Sequence, residues 1–123
     1  MALVHANPLD VIDLLPPRES TAVDAAVSLS LLRTVNVQLI RLVLPAQHRM
    51  PSHRVPGELT LQCLSGHVDI ETPARTCTLA AGQLVMLPPD EPHCLYARAP
   101  AVVLLTLLHP VPGIWRPRAA ADA

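Results

Sequence analysis

Fourteen prolines are scattered through 123 residues, beside only four glycines. A proline inside a helix costs about 3 kcal/mol, and within a sheet it is confined to edges, turns and bulges. After residue 44 the prolines at 45, 51, 56, 73, 88, 89, 92 and 100 cut the chain into short segments. Many short segments between Pro and Gly punctuation predict an all-β chain.

The segments themselves carry strand patterns. Residues 35–44 are rich in Val, Ile and Leu and stop at Pro45. Residues 58–64, Glu-Leu-Thr-Leu-Gln-Cys-Leu, alternate most clearly. Leu59, Leu61 and Cys63 share one face, and Glu58, Thr60 and Gln62 share the other. Ser65-Gly66 then supplies a tight turn, and residues 67–72 return with Val68 and Ile70 inward. Further strands are expected at 75–79, 84–87, 93–97 and 101–109. In the last of these nearly every position is apolar, so both faces should be covered, one by the core and the other by the N-terminal arm or a partner subunit. Residues 1–34 read as an arm laid against the barrel or exchanged with a second subunit. The arm contains a short strand near Val11 to Leu15 and a helical turn at 20–26, with 28–33 again extended. Residues 35–110 form the barrel, and 111–123 read as a tail without a core-forming pattern.

Composition narrows the function classes. Half the residues are apolar and 15% are charged, which excludes a disordered chain. With no Phe, one Trp and one Tyr, the core must be aliphatic. Formal net charge is −1 with no run of Lys or Arg, so a nucleic-acid groove is not expected. The longest apolar run, 101–108, falls far below the ~20 residues of a membrane span, so no membrane partner is expected. Cys63, Cys77 and Cys94 are odd in number and lack C-x-x-C spacing. That pattern and the lack of a basic, apolar leader predict a reducing, cytoplasmic setting.

Gly82, Pro88 and His93 fall at the spacing of the second sequence motif of the cupin superfamily, which this chain resembles. Asp90 stands where that motif has a further Gly, and Ala97 where it has Asn. In the first motif Gly66 and His53 are in place, while Gln47, Val55 and Leu59 occupy the positions of its opening Gly, second His and Glu. The resemblance covers roughly residues 35–109. It implies a double-stranded β-helix, the jelly-roll barrel of cupins, in a small single-domain form that usually pairs into homodimers. It does not carry a reaction with it, because one fold hosts many chemistries.

By the same resemblance His53 and His93 point into the barrel mouth. Two imidazoles suit one divalent transition metal such as Zn, Ni, Fe or Mn, but a site needs three or more convergent ligands. His48 in the preceding loop is one candidate third ligand. Glu58 is another if Pro56-Gly57 forms a bulge, although the alternation of 58–64 turns it away from Leu59. Val55, Leu59, Leu61 and Cys63 are expected to line an apolar pocket, the ordinary form of a small-molecule site. Two readings follow: metal-assisted oxygenation or isomerisation of a small organic molecule, or a non-catalytic binding, sensing or structural dimer. No catalytic residue is assigned.

Overall fold

The computed structural model describes residues 5–17 and 21–109. Among them are eight strands and no helix, hence none long and apolar enough to cross a membrane. The strands are β1 (Val27–Arg33), β2 (Val37–Leu44), β3 (Leu59–Ser65), β4 (His67–Glu71), β5 (Thr76–Ala80), β6 (Leu84–Leu87), β7 (Cys94–Ala97) and β8 (Ala101–Leu108). They form a five-stranded sheet in the order β1-β2-β8-β3-β6 and a three-stranded sheet in the order β5-β4-β7, with every pairing antiparallel.

Alternation decides what each strand buries. Leu59, Leu61 and Cys63 of β3 point to the core with Leu42 and Leu44 of β2, and with Ala101, Val103 and Leu105 of β8. Val68 and Ile70 of β4, Leu79 of β5 and Leu95 and Ala97 of β7 complete it from the smaller sheet. Each fully buried Leu or Ile contributes about 1.5–3 kcal/mol relative to exposure.

Strand β8 is buried on both faces over its first five residues. Val102 and Leu104 point outward, opposite Val43 and Arg41 of β2, and Val43, Val102 and Leu104 are nonetheless buried. Arg41 donates from Nη1 to the carbonyls of Asp13 at 3.1 Å and Leu14 at 3.4 Å, which brings the N-terminal arm onto this outer face.

The arm departs from its expected structure. Residues 11–15 are irregular rather than a strand, and 21–26 are not helical; Ser20 lies outside the described residues. Tertiary bonds hold the arm instead: Ala6 N–H donates to the Leu31 carbonyl at 3.2 Å, and His5 Nε2 meets Ser30 Oγ at 2.9 Å. The stretch 27–33, read as part of that arm, is edge strand β1 of the larger sheet, with a register shift between Ser30 and Leu32. Strand β2 begins at Val37 rather than 35 because Thr34 Oγ1 accepts the N–H groups of Asn36 and Val37 at 3.1 Å each, closing the hairpin. The tail expected at 111–123 lies outside the described residues.

Candidate functional site

Residues 47–55 contain no alternating pattern, yet they run antiparallel along the free edge of β7. Gln47 N–H donates to the Ala97 carbonyl at 2.7 Å, Ala97 N–H to His48 at 2.9 Å, and Met50 N–H to Leu95 at 2.9 Å. Further along, His53 and His93 exchange both N–H···O bonds at 3.0 Å, and Asp90 N–H donates to Val55 at 2.8 Å. The partner strand therefore builds the site: a Pro-broken loop becomes ordered because β7 offers it unpaired backbone groups.

Side-chain parity follows. His93 lies two residues before Leu95 and shares its inward face, while cross-strand pairing brings His53 beside it. Their ring centroids are 4.5 Å apart and tilted by 55°. His93 is 1% exposed, whereas His53 is exposed. Nδ1 of His93 lies 3.0 Å from the Glu91 carbonyl. A carbonyl only accepts, so Nδ1 carries the proton and Nε2 presents a lone pair. That Nε2 is buried and has no hydrogen-bond partner. Burial is the main cause that pushes the His93 pKa below 6.5, with the neighbouring His53 adding to it, against the Glu91 carbonyl. The imidazole is thus neutral near pH 7, with its accepting nitrogen buried and unpaired.

The third ligand does not join the pair. Among the described residues no three His, Cys, Asp or Glu side chains converge. His48 is engaged through its backbone at the Ala97 end of the ladder. Glu58 is exposed and borders a cleft of about 120 Å³ on the outer face of the larger sheet, with Leu59, Thr60, Met86, Thr106 and Leu108. No bulge rotates it inward, because β3 keeps unbroken register with β6 and, from Leu59 through Cys63, with β8. Two imidazoles fall short of the three protein ligands that zinc and related metals use.

The expected pocket wall is largely solid core. Leu61 and Cys63 are 0% exposed and Leu59, although it also borders the outer cleft, is 1% exposed, so their side chains are packed into the core. Val55 and Met50 are partly buried against the same core.

Backbone geometry accounts for two motif departures. Gly66 and Gly82 have φ of 82° and 89°, and Gln47 and Asp90, at the positions where cupin motifs have Gly, have φ of 63° and 62°. The left-handed conformation persists where the glycine does not.

One cluster escaped the sequence reading. On the outer face of the smaller sheet, Glu71 forms an ion pair with Arg49 and accepts the Cys94 thiol at 3.0 Å, while Arg49 lies 4.9 Å over the Tyr96 ring. Nearby, buried Asp69 accepts Arg98 Nε at 2.9 and 3.0 Å and the Thr78 hydroxyl at 2.7 Å. Glu71 and Cys94 face each other across the β4–β7 register. That pairing is the signal, and it becomes readable only once the register is known.

No family model and no curated protein sequence matches the chain. Solved structures do. A conserved protein of unknown function from Streptococcus pyogenes superposes with a TM-score of 0.71 at 24% identity, covering 90% of this chain and 99% of that one. A cupin superfamily protein from Desulfitobacterium hafniense gives 0.68 at 16% identity, over 82% of this chain and 100% of the other. An RmlC-like cupin protein from Desulfovibrio desulfuricans gives 0.65 at 18% identity, over 89% and 100%. Two facing antiparallel sheets and these likenesses establish the class: this chain is a small cupin-fold, jelly-roll barrel.

Proposed function

We propose that the protein binds a small organic molecule at the His53–His93 mouth, in a reading that requires no bound metal. One observation carries it: the buried, unpartnered Nε2 of His93. A buried acceptor left unsatisfied costs about 1–3 kcal/mol, which a ligand O–H or N–H would recover. The core of the barrel is aliphatic, and Met50 and Val55 pack partly buried against it, so a ligand that combines a hydrogen-bond donor with an apolar body suits this acceptor. Exposed His53 covers His93 and must move aside for the ligand to enter.

The same lone pair favours a second reading. An imidazole whose Nδ1–H is fixed on a carbonyl is prepared to ligate through Nε2. A divalent metal held by His53 and His93 would need further donors, which the other described residues do not supply. Oxygenase- or isomerase-type chemistry is therefore the less supported alternative.

Thermal-shift screening of phenols and small amides in EDTA, with wild type and His93→Ala, separates the two. Stabilisation that survives the chelator and disappears in His93→Ala supports metal-free binding. Stabilisation that appears only with added Zn, Ni, Fe or Mn, and with both histidines present, replaces it with the metal reading.

A further inference from the structure

The outer face of the five-stranded sheet is covered on one side of central strand β8 and open on the other. On the β1–β2 side the arm is tied to the β1 edge through Ala6 and to Arg41 through the carbonyls of residues 13 and 14. There the outward-pointing Val43, Val102 and Leu104 are buried. On the β3–β6 side Leu84 is 58%, Met86 54% and Leu108 46% exposed. Met86, Thr60 and Thr106 form one row across β6, β3 and β8, lining the 120 Å³ cleft together with Leu108 and Glu58. Among the described residues the Glu58 carboxylate has no ion-pair partner.

We propose that the chain covers this open half with its own C-terminal segment, the Trp115 indole seated in the cleft and Arg116 beside Glu58. Position and length favour it. Leu108, the last residue of β8, lines the cleft, so the segment that follows starts at the place it would fill. Trp115 lies seven residues beyond Leu108, and an extended chain of that length spans up to ~23 Å. The row from Thr106 to Met86 crosses only two inter-strand spacings, about 10 Å. A chain leaving β8 must turn back to lie over this row, and Pro112-Gly113 is the dipeptide of a reversing turn. The chemistry matches as well. Trp115 is the largest apolar side chain in a protein with no Phe, and burying an aromatic ring of this kind removes ~150–250 Å² from water. A buried indole N–H needs an acceptor, which the Thr60 and Thr106 hydroxyls supply. Arg116, next in the chain, brings the charge opposite to that of Glu58. No part of this inference rests on what the His53–His93 mouth binds.

Because the chain has a single tryptophan, its fluorescence reports on this segment alone. In the native wild type the emission should be blue-shifted from that of the urea-unfolded chain and protected from acrylamide quenching. Met86→Glu changes an exposed side chain, so far-UV circular dichroism should stay native while the emission moves to the unfolded position and the protection is lost. Val11→Glu, at an equally exposed position on the arm, should change neither. The double variant Met86→Cys/Trp115→Cys tests the seat itself. Oxidation should join positions 86 and 115 within one chain, read by peptide mass spectrometry of the monomer band. A wild-type tryptophan as readily quenched as in urea, or protection that survives Met86→Glu, would overturn the proposal. So would an 86–115 bond found only between chains, which would seat the segment on another molecule.

Discussion

His93 is buried and neutral directly beneath exposed His53, with the two rings 4.5 Å apart and the two backbones bonded in both directions. This juxtaposition makes stability depend on pH in a defined sense. Burial lowers the folded-state pKa of His93 below 6.5, so the unfolded chain takes up the proton more readily. The contribution is complete above about pH 6.5 and is lost progressively as pH falls from there toward the lowered folded value. Urea unfolding across this range should show decreasing stability in the wild type and a flatter profile in His93→Gln. An equal slope in both would exclude His93 as the source.

The two left-handed glycines should respond differently to alanine. A Cβ on Gly66 would lie 2.3 Å from the Pro100 carbonyl oxygen and 2.9 Å from Ala101 Cα, both backbone atoms. One on Gly82 would meet nothing within 4 Å. Gly82→Ala should cost about 1 kcal/mol from backbone conformation alone. Gly66→Ala should cost well over ~2 kcal/mol, because β8 must shift as well. Denaturation midpoints of the two variants measure the difference.

Gln47 and Asp90 invite the reverse substitution. A non-glycine residue in the left-handed region carries roughly 1–2 kcal/mol of strain, less for Asp, while glycine adds about 0.4–1 kcal/mol of entropy to the unfolded chain. Gln47→Gly should therefore stabilise the protein by up to about 1 kcal/mol, and Asp90→Gly should be close to neutral. Thermal unfolding would show the contrast.

Cys94 should be a slow thiol. Its hydrogen bond to Glu71 is the largest cause raising its pKa, and the same bond is the first cause lowering that of Glu71, ahead of Arg49. In Glu71→Gln the carboxylate no longer holds the proton and Arg49 remains close by. Alkylation of Cys94 by iodoacetamide near neutral pH, followed by peptide mass spectrometry, should therefore be faster in the variant than in the wild type.

Much of the barrel was legible because it is written in local pattern. Leu59, Leu61 and Cys63 announce their face by alternation, and Ser65-Gly66 announces the turn that follows. The adjacency of His53 and His93 was legible as two histidines at fixed distances from Gly and Pro. What alternation does not reveal is whether the inward face meets a cavity or other side chains, and Leu61 and Cys63 meet side chains. The edge segment around His53 has no strand pattern of its own and takes its order from β7. The arm was illegible for the same reason, since its bonds link Ala6 to Leu31 and Asp13 to Arg41, partners more than twenty residues apart.

The four left-handed positions at the cupin-motif glycine sites bear on how such a chain can change over time. Direction reversal at positions 47, 66, 82 and 90 is a property of the backbone, and two of those positions achieve it with a side chain attached. Shape at these corners is therefore inherited separately from spelling. A mutational path can exchange the letters of a motif one at a time, at a cost of about one kcal/mol each. Throughout such a path the strands still meet in register and the two histidines are still brought side by side.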